Sequence, residues 1–144
     1  MTRDEALKTL TPETGAALII ATKDMERNGV PYFISEAGRN LLTQCLYALQ
    51  GRLGEGKNAI LFSSLETACK QAGIRPPDKE IITWTLQSNH FNGTAVDIYP
   101  LKDGKVDWNN QDERIVEAMK SAGFSWGGDW NTPDRPHFEM RRQI

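Results

Sequence analysis

Ser88-Asn89-His90-Phe91-Asn92-Gly93-Thr94-Ala95-Val96-Asp97 is the stretch from which the rest of the chain is read. It passes from polar loop into strand. Ala95, Asp97 and Tyr99 fall on one face of the extended chain, and Val96 and Ile98 on the other. A carboxylate in an otherwise apolar strand is costly unless it has a partner. His90 lies upstream across the bend that Gly93 permits, and Asp134-Arg135-Pro136-His137 lies far downstream. The chain has two histidines in 144 residues, and both stand beside these carboxylates.

Two imidazoles and a carboxylate are the three protein ligands that a catalytic zinc takes, with one position left for water. His90, Asp97 and His137 are therefore the expected metal ligands. Pro133 and Pro136 hold Thr132 and Arg135 in extended geometry, so the second segment is a turn entering a strand and not a helical metal motif. Zinc lowers the pKa of a water to roughly 7, and a nearby carboxylate can take its proton and pass it to a leaving amine. Asp134 is assigned that acid–base role and not a fourth ligand. From the residues alone the reading ends at a metal site with hydrolytic chemistry.

Working outward, Thr11-Pro12-Glu13 opens a helix with a Thr cap and Pro at the first helical position. Ala16, Leu18, Ile19, Ala21 and Met25 supply its apolar positions, and Asn28-Gly29 ends it. Val30–Ile34 reads as a strand, its Pro31 suiting a start or an edge. Leu41, Leu42, Cys45, Leu46 and Leu49 place a second helix over 38–50. The loop 51–58 approaches a phosphate-binding pattern, but Asn58 replaces the magnesium-binding hydroxyl and a helix precedes the loop, so it reads as a connector. Ser64–Ala72 is a short helix closed by Gly73, 75–78 a turn, and Ile81–Leu86 a strand. Thr94–Tyr99 is a strand that Pro100 closes. Asn109 or Asn110 caps a helix carrying Ile115, Val116, Ala118, Met119 and Ala122, which Gly123 stops. Phe124–Trp126 and His137–Met140 are the last strands. Without a βαβ rhythm the expected class is α+β, a small antiparallel sheet flanked by helices, in one domain spanning 1–144.

With 39% hydrophobic and 25% charged residues the composition is that of an ordinary globular chain. A net charge of -2 argues against nucleic acid as a partner; Arg141-Arg142 reads as a solvated terminus. No apolar run reaches the roughly 18 residues of a membrane span. The start Met1-Thr-Arg-Asp-Glu-Ala-Leu-Lys lacks the apolar core of a secretory signal, so cytoplasmic synthesis and a monomer are expected. Cys45 and Cys69 read as buried thiols, neither a disulfide nor a metal pair.

Ser88-x-His90-x-x-Gly93-x-Ala95-x-Asp97 resembles the S-x-H-x-x-G-x-A-x-D signature of the M15 zinc peptidases at every fixed position. Trp126-Gly127-Gly128-Asp129-Trp130 followed by Asp134-Arg135-Pro136-His137-Phe138-Glu139 is similar to its second half. Asp134, where the D-alanyl-D-alanine dipeptidases carry Glu, points to the L-alanyl-D-glutamate peptidases of phage endolysins and bacterial cell-wall enzymes. Gln44-x-Leu46-Tyr47 with Gly51-Arg52 resembles a further segment of that branch, with one residue more before Gly51.

The resemblance implies a D-alanyl-D-alanine peptidase/hedgehog-like fold and a Zn2+-dependent endopeptidase acting on bacterial peptidoglycan stem peptides. It also implies zinc on His90, Asp97 and His137, and substrate held by Arg39. Arg39 differs from the family pattern in its context, since Glu36-Ala37 precedes Gly38-Arg39. Ser88 and Trp130 are further substrate-binding candidates; closing the turn and packing under the site are the alternatives. Trp84 and Trp126 carry the same two readings as Trp130. Glu139, two residues past His137 on the same strand face, is placed to orient a ligand imidazole. The alternative functions are a D,D-carboxypeptidase or dipeptidase on D-alanyl ends, and a zinc-containing wall-binding module without catalysis. Release to the wall would then depend on a separate membrane-permeabilising protein or on lysis.

Overall fold

The computed structural model describes residues 1–39, 46, 59–74, 90 and 92–140, the side chains of 59–64 excepted. The chain divides into two compact units, Met1–Gly38 with Asn92–Ile144, and Arg39–Phe91. Of the helix expected over 38–50, Gly38 and Arg39 are not helical and Leu46 is; residues 40–45 and 47–50, the connector 51–58, the turn 75–78, the strand 81–86, Cys45, Trp84, Ser88 and Arg141-Arg142 lie outside the described residues.

In the first unit, α1 (Arg3–Leu7) opens on a capping box: the Thr2 hydroxyl accepts from the Glu5 N–H, and the Glu5 carboxylate accepts from the Thr2 N–H. The Thr-x-x-Glu spacing carries this helix, which the hydrophobic pattern passes over because five residues show no stripe. α2 (Pro12–Arg27) begins on the Thr11 cap with Pro at its first position. Its buried face uses Ala17, Leu18, Ala21 and Met25, while Ala16 faces solvent. Gly29, at φ 66°, turns the chain out of the helix.

The sheet is antiparallel, ordered β1 (Tyr32–Glu36), β2 (Ala95–Lys102), β5 (His137–Met140), β4 (Phe124–Trp126), with β3 (Lys105–Val106) pairing β2 off this path. β1 is an edge strand, as Pro31 before it suggests. β2 does not end at Pro100. The Ile98 N–H donates to the Pro136 carbonyl and its carbonyl accepts from Gln111, so both point toward β5. Pro100, two residues on, faces the same side beyond the end of β5, where its missing N–H breaks no ladder bond and its carbonyl accepts from the Asp107 N–H. The hairpin to β3 turns on Asp103-Gly104, both at positive φ, as an Asp-Gly turn requires.

The helix α4 (Glu113–Ser121) is capped by Asp112 and not by Asn109 or Asn110, whose amides instead gather on the Asp107 carboxylate in a preceding turn. α4 packs on α2. Ile115, Val116, Ala118 and Met119 join Leu18, Met25, Ile34, Val96, Ile98 and Phe138 in one core. One face of the sheet is thus apolar and covered, and the other carries Phe33, Tyr99, Asp97, His137 and Glu139, the register partners of alternate parity.

In the second unit, α3 (Ala59–Ala72) starts five residues before the expected Ser64. Ala59-Ile60-Leu61-Phe62 holds no breaker, and Ala and Leu favour the helix. Gly73 ends it at φ 70°. Leu46, Leu65 and Cys69 form a small core of their own.

Candidate metal centre

β2 and β5 position two of the three expected ligands. Asp97 and His137 are direct cross-strand partners, and His137 Nδ1 lies 3.3 Å from Asp97 Oδ1. The pairing is fixed at both ends by Met140 N–H to Thr94 carbonyl and Ile98 N–H to Pro136 carbonyl, each 2.9 Å. Beneath His137, Phe138 points into the core at 0% exposure, so the alternation of the strand holds the imidazole on the opposite face.

His90 stands two residues before the turn at Asn92-Gly93. Its carbonyl accepts from the Arg39 N–H at 2.9 Å. Gly93 adopts φ 73°, and a Cβ there would meet the Thr9 carbonyl oxygen at 2.9 Å. Its own carbonyl accepts from the Thr11 N–H at 3.0 Å. The bend between His90 and Asp97 therefore needs glycine for both its backbone angle and its space.

One donor atom from each of His90, Asp97 and His137 falls within 4.8 Å of the others. Both imidazoles are nearly buried, at 5% and 8% exposure. Two imidazoles and one carboxylate converging on a shielded point suit a tetrahedral cation with one position open, so the donor set fits zinc.

Burial by itself disfavours a proton on His137, but the hydrogen bond and charge of Asp97, then the charges of Asp134 and Glu139, outweigh it and raise its pKa above the ordinary value. Glu139 Oε2 lies 3.4 Å from His137 Nε2.

Asp134 sits on the exposed loop before β5. Its N–H donates to the Gly127 carbonyl at 2.9 Å, and its carbonyl accepts from the His137 N–H at 3.3 Å. A Cβ on Gly127 would run into the Asp134 backbone and lie 3.1 Å from His137 Cβ, so the Gly127-Gly128 turn admits this loop only without a side chain. Trp130 is 41% exposed, its ring centroid 5.0 Å from that of His137. Trp126 sits on the covered side, opposite Phe138, and its indole N–H donates to the Arg135 carbonyl at 2.7 Å. It braces the loop from below.

Gln111 carries no signal in the sequence. Its side-chain amide donates to the carbonyls of Ile98 and Arg135, at 2.8 and 3.0 Å, and ties the Asp134 loop to β2.

Residues 82–140 match an M15 peptidase family model described as D-alanyl-D-alanine carboxypeptidase. This segment is similar to the M15 peptidases. Members of that family are metallopeptidases, and the triad here is a possible metal site of that kind. The chain is 38% identical over 61 residues to the L-alanyl-D-glutamate peptidase of Listeria phage A118, covering 39% of this chain and 22% of the relative. It is 39% identical over 66 residues to the peptidoglycan L-alanyl-D-glutamate endopeptidase CwlK of Bacillus subtilis, covering 38% of this chain and 40% of the relative. The chain thus spans less than half the length of the curated relatives it matches. Among solved structures, the Serratia marcescens L-Ala D-Glu endopeptidase ChiX superposes at a TM-score of 0.60, with 24% identity over 96% of this chain and 85% of that one. The chain therefore shares the fold of that structure, helices around a small antiparallel sheet.

Proposed function

We propose that the chain is a zinc-dependent peptidoglycan endopeptidase that hydrolyses the L-alanyl–D-glutamate bond of the stem peptide. The observation that carries this is the convergence of His90, Asp97 and His137. The names of the matched relatives support the choice of bond. In this reading residues 1–144 make one catalytic domain, working as a monomer on the wall after release from the cell.

His90, Asp97 and His137 hold the zinc, and Glu139 orients the His137 ring. When bound, the ion supplies a Lewis acid that makes water nucleophilic near neutral pH and polarises the scissile carbonyl. Asp134 takes the proton of the attacking water as the new C–O bond forms, and gives it to the leaving amine as the C–N bond breaks. Arg39 and Ser88 hold the substrate carbonyl or carboxylate, and Trp130 walls the approach to His137. The description of the matching family model favours a second reading, removal of D-alanine from the stem terminus.

Digestion of purified muropeptides, with fragments weighed by mass spectrometry, tests this. L-alanine left on the sugar side with D-glutamate newly amino-terminal is expected. Release of D-alanine alone replaces the proposal with the second reading. Zinc binding without cleavage of any wall would leave a non-catalytic wall-binding module.

A further inference from the structure

The sheet face that carries Asp97 and His137 continues past them into three aromatic rings. Phe33 and Tyr99 are direct cross-strand partners on β1 and β2. Tyr99 shares the parity of Asp97, so these rings lie on the sheet face opposite the core. Trp108, just past β3, stands edge-on to both, with ring centroids 4.8 Å from Tyr99 and 6.1 Å from Phe33. Its own side chain is 59% exposed. Tyr99 and Phe33 are half-buried and support it.

Trp108 thus presents a broad exposed ring backed by two half-buried aromatic rings that meet it edge to face. Its place on the sheet selects the occupant. Tyr99 is two residues from Asp97 along an extended strand, about 7 Å. In a stem peptide, the alanine of the alanyl–glutamyl bond is joined through a short lactyl group to a sugar ring. One residue at about 3.5 Å plus that linker puts the ring on the order of 7 Å from the scissile bond. The C–H face of a pyranose is flat and apolar and stacks on an indole while its hydroxyls stay in water.

We propose that Trp108, supported by Tyr99 and Phe33, is a stacking platform for the sugar ring that carries the stem peptide. This rests on the endopeptidase reading for its choice of ligand. A substrate with its sugar attached then gains contact area that a free stem peptide lacks.

Titrating the intact protein with the peptide-free disaccharide N-acetylglucosaminyl-N-acetylmuramic acid, read in NMR by the backbone N–H signals of Tyr99 and Asp107 in every variant and by the indole N–H of Trp108 in the wild type, tests the platform without any turnover. Saturable shifts that Trp108→Leu weakens by about tenfold, and Trp108→Tyr largely restores, are expected for one stacked ring. No shift at Trp108 with the disaccharide overturns the proposal. In parallel, the ratio of KM for the free stem peptide to KM for the disaccharide-peptide is measured in the wild type and in Trp108→Leu. The wild type should favour the sugar-bearing substrate and the variant should lose that preference. Equal KM increases on both substrates would place the peptide, not the sugar, on Trp108 and overturn it. Should the wild type cleave neither substrate, the endopeptidase reading fails, while the disaccharide titration still decides the platform.

Discussion

Asp97 on β2 and His137 on β5 face each other directly across an antiparallel pair, their side chains meeting at 3.3 Å on the sheet face opposite the core. Two residues forty positions apart in the chain are thereby held by the sheet ladder itself, and a one-residue slip of either strand would turn its ligand into the core. These two ligands are as rigid as the strands that carry them.

This geometry separates holding the metal from moving the proton. His137→Ala and His90→Ala should lose zinc and wall lysis together. Asp134→Ala should retain its zinc while lysis falls by roughly 10²–10⁴-fold, the usual contribution of a general acid–base. Metal analysis beside a turbidity assay reads both. Loss of zinc from Asp134→Ala would make that residue a ligand.

Glu139 touches His137 at 3.4 Å. Glu139→Gln should keep the fold and weaken zinc by about 10–100-fold, as expected when a group orienting a ligand imidazole is lost. Competition with a fluorescent chelator measures it; an unchanged affinity would leave Glu139 with no part in the site.

Gly93 combines a φ of 73° with the Thr9 carbonyl 2.9 Å from any Cβ. Gly93→Ala should cost about 1–3 kcal/mol of stability and also weaken zinc, since the bend lies between His90 and Asp97. Denaturant titration with and without zinc gives the two effects. Gly104, also at positive φ but with nothing within 4 Å, serves as the comparison.

A bound zinc stabilises the folded chain by mass action, by about 2.7 kcal/mol at a hundredfold excess over its Kd. Chelator should lower Tm and zinc should restore it. Identical melting in chelator and in excess zinc would exclude tight binding to the native state.

Asp112 reports on α4. Its pKa is lowered, chiefly by the hydrogen bond from the Arg114 side chain, against desolvation, with further help from the Arg114 N–H and charge. A depressed carboxylate binds its proton less readily folded than unfolded. The cap therefore stabilises fully above the unfolded value near 3.9, and that contribution is lost as pH falls through the lower folded value. Asp112→Ala should cost about 1 kcal/mol near neutral pH. The gap between wild type and variant should close only in strong acid, as followed by urea unfolding across pH.

Much of the fold was legible in the residues because local rules and global structure agree. Thr11-Pro12 starts α2 where a cap and a proline permit it, Gly123 ends the helix that Ile115 to Met119 bury, and the strands at 95, 124 and 137 fall where alternation places them. Where local signals competed, the reading slipped. Asn109-Asn110 resembles a cap but serves the Asp107 turn, and Pro100 resembles a strand end but lies past the end of β5, where its missing N–H breaks no bond of that ladder. The capping box at Thr2 and the Asp103-Gly104 turn were present as spacing and passed over beside longer, more periodic elements.

The sequence by itself determined the chemistry available: two scarce histidines, a carboxylate in an apolar strand, a glycine between them, and a second carboxylate held by prolines. Those are matters of residue type and parity, which a linear pattern carries. Only the tertiary structure decided which groups meet. The β2–β5 register sets Asp97 against His137, the Gly127 turn draws the Asp134 loop against β5, Gln111 ties that loop to β2, and Trp108 comes to rest on Tyr99 and Phe33. Each is a contact between distant segments, fixed by sheet pairing and side-chain reach, for which no local spacing exists to be read.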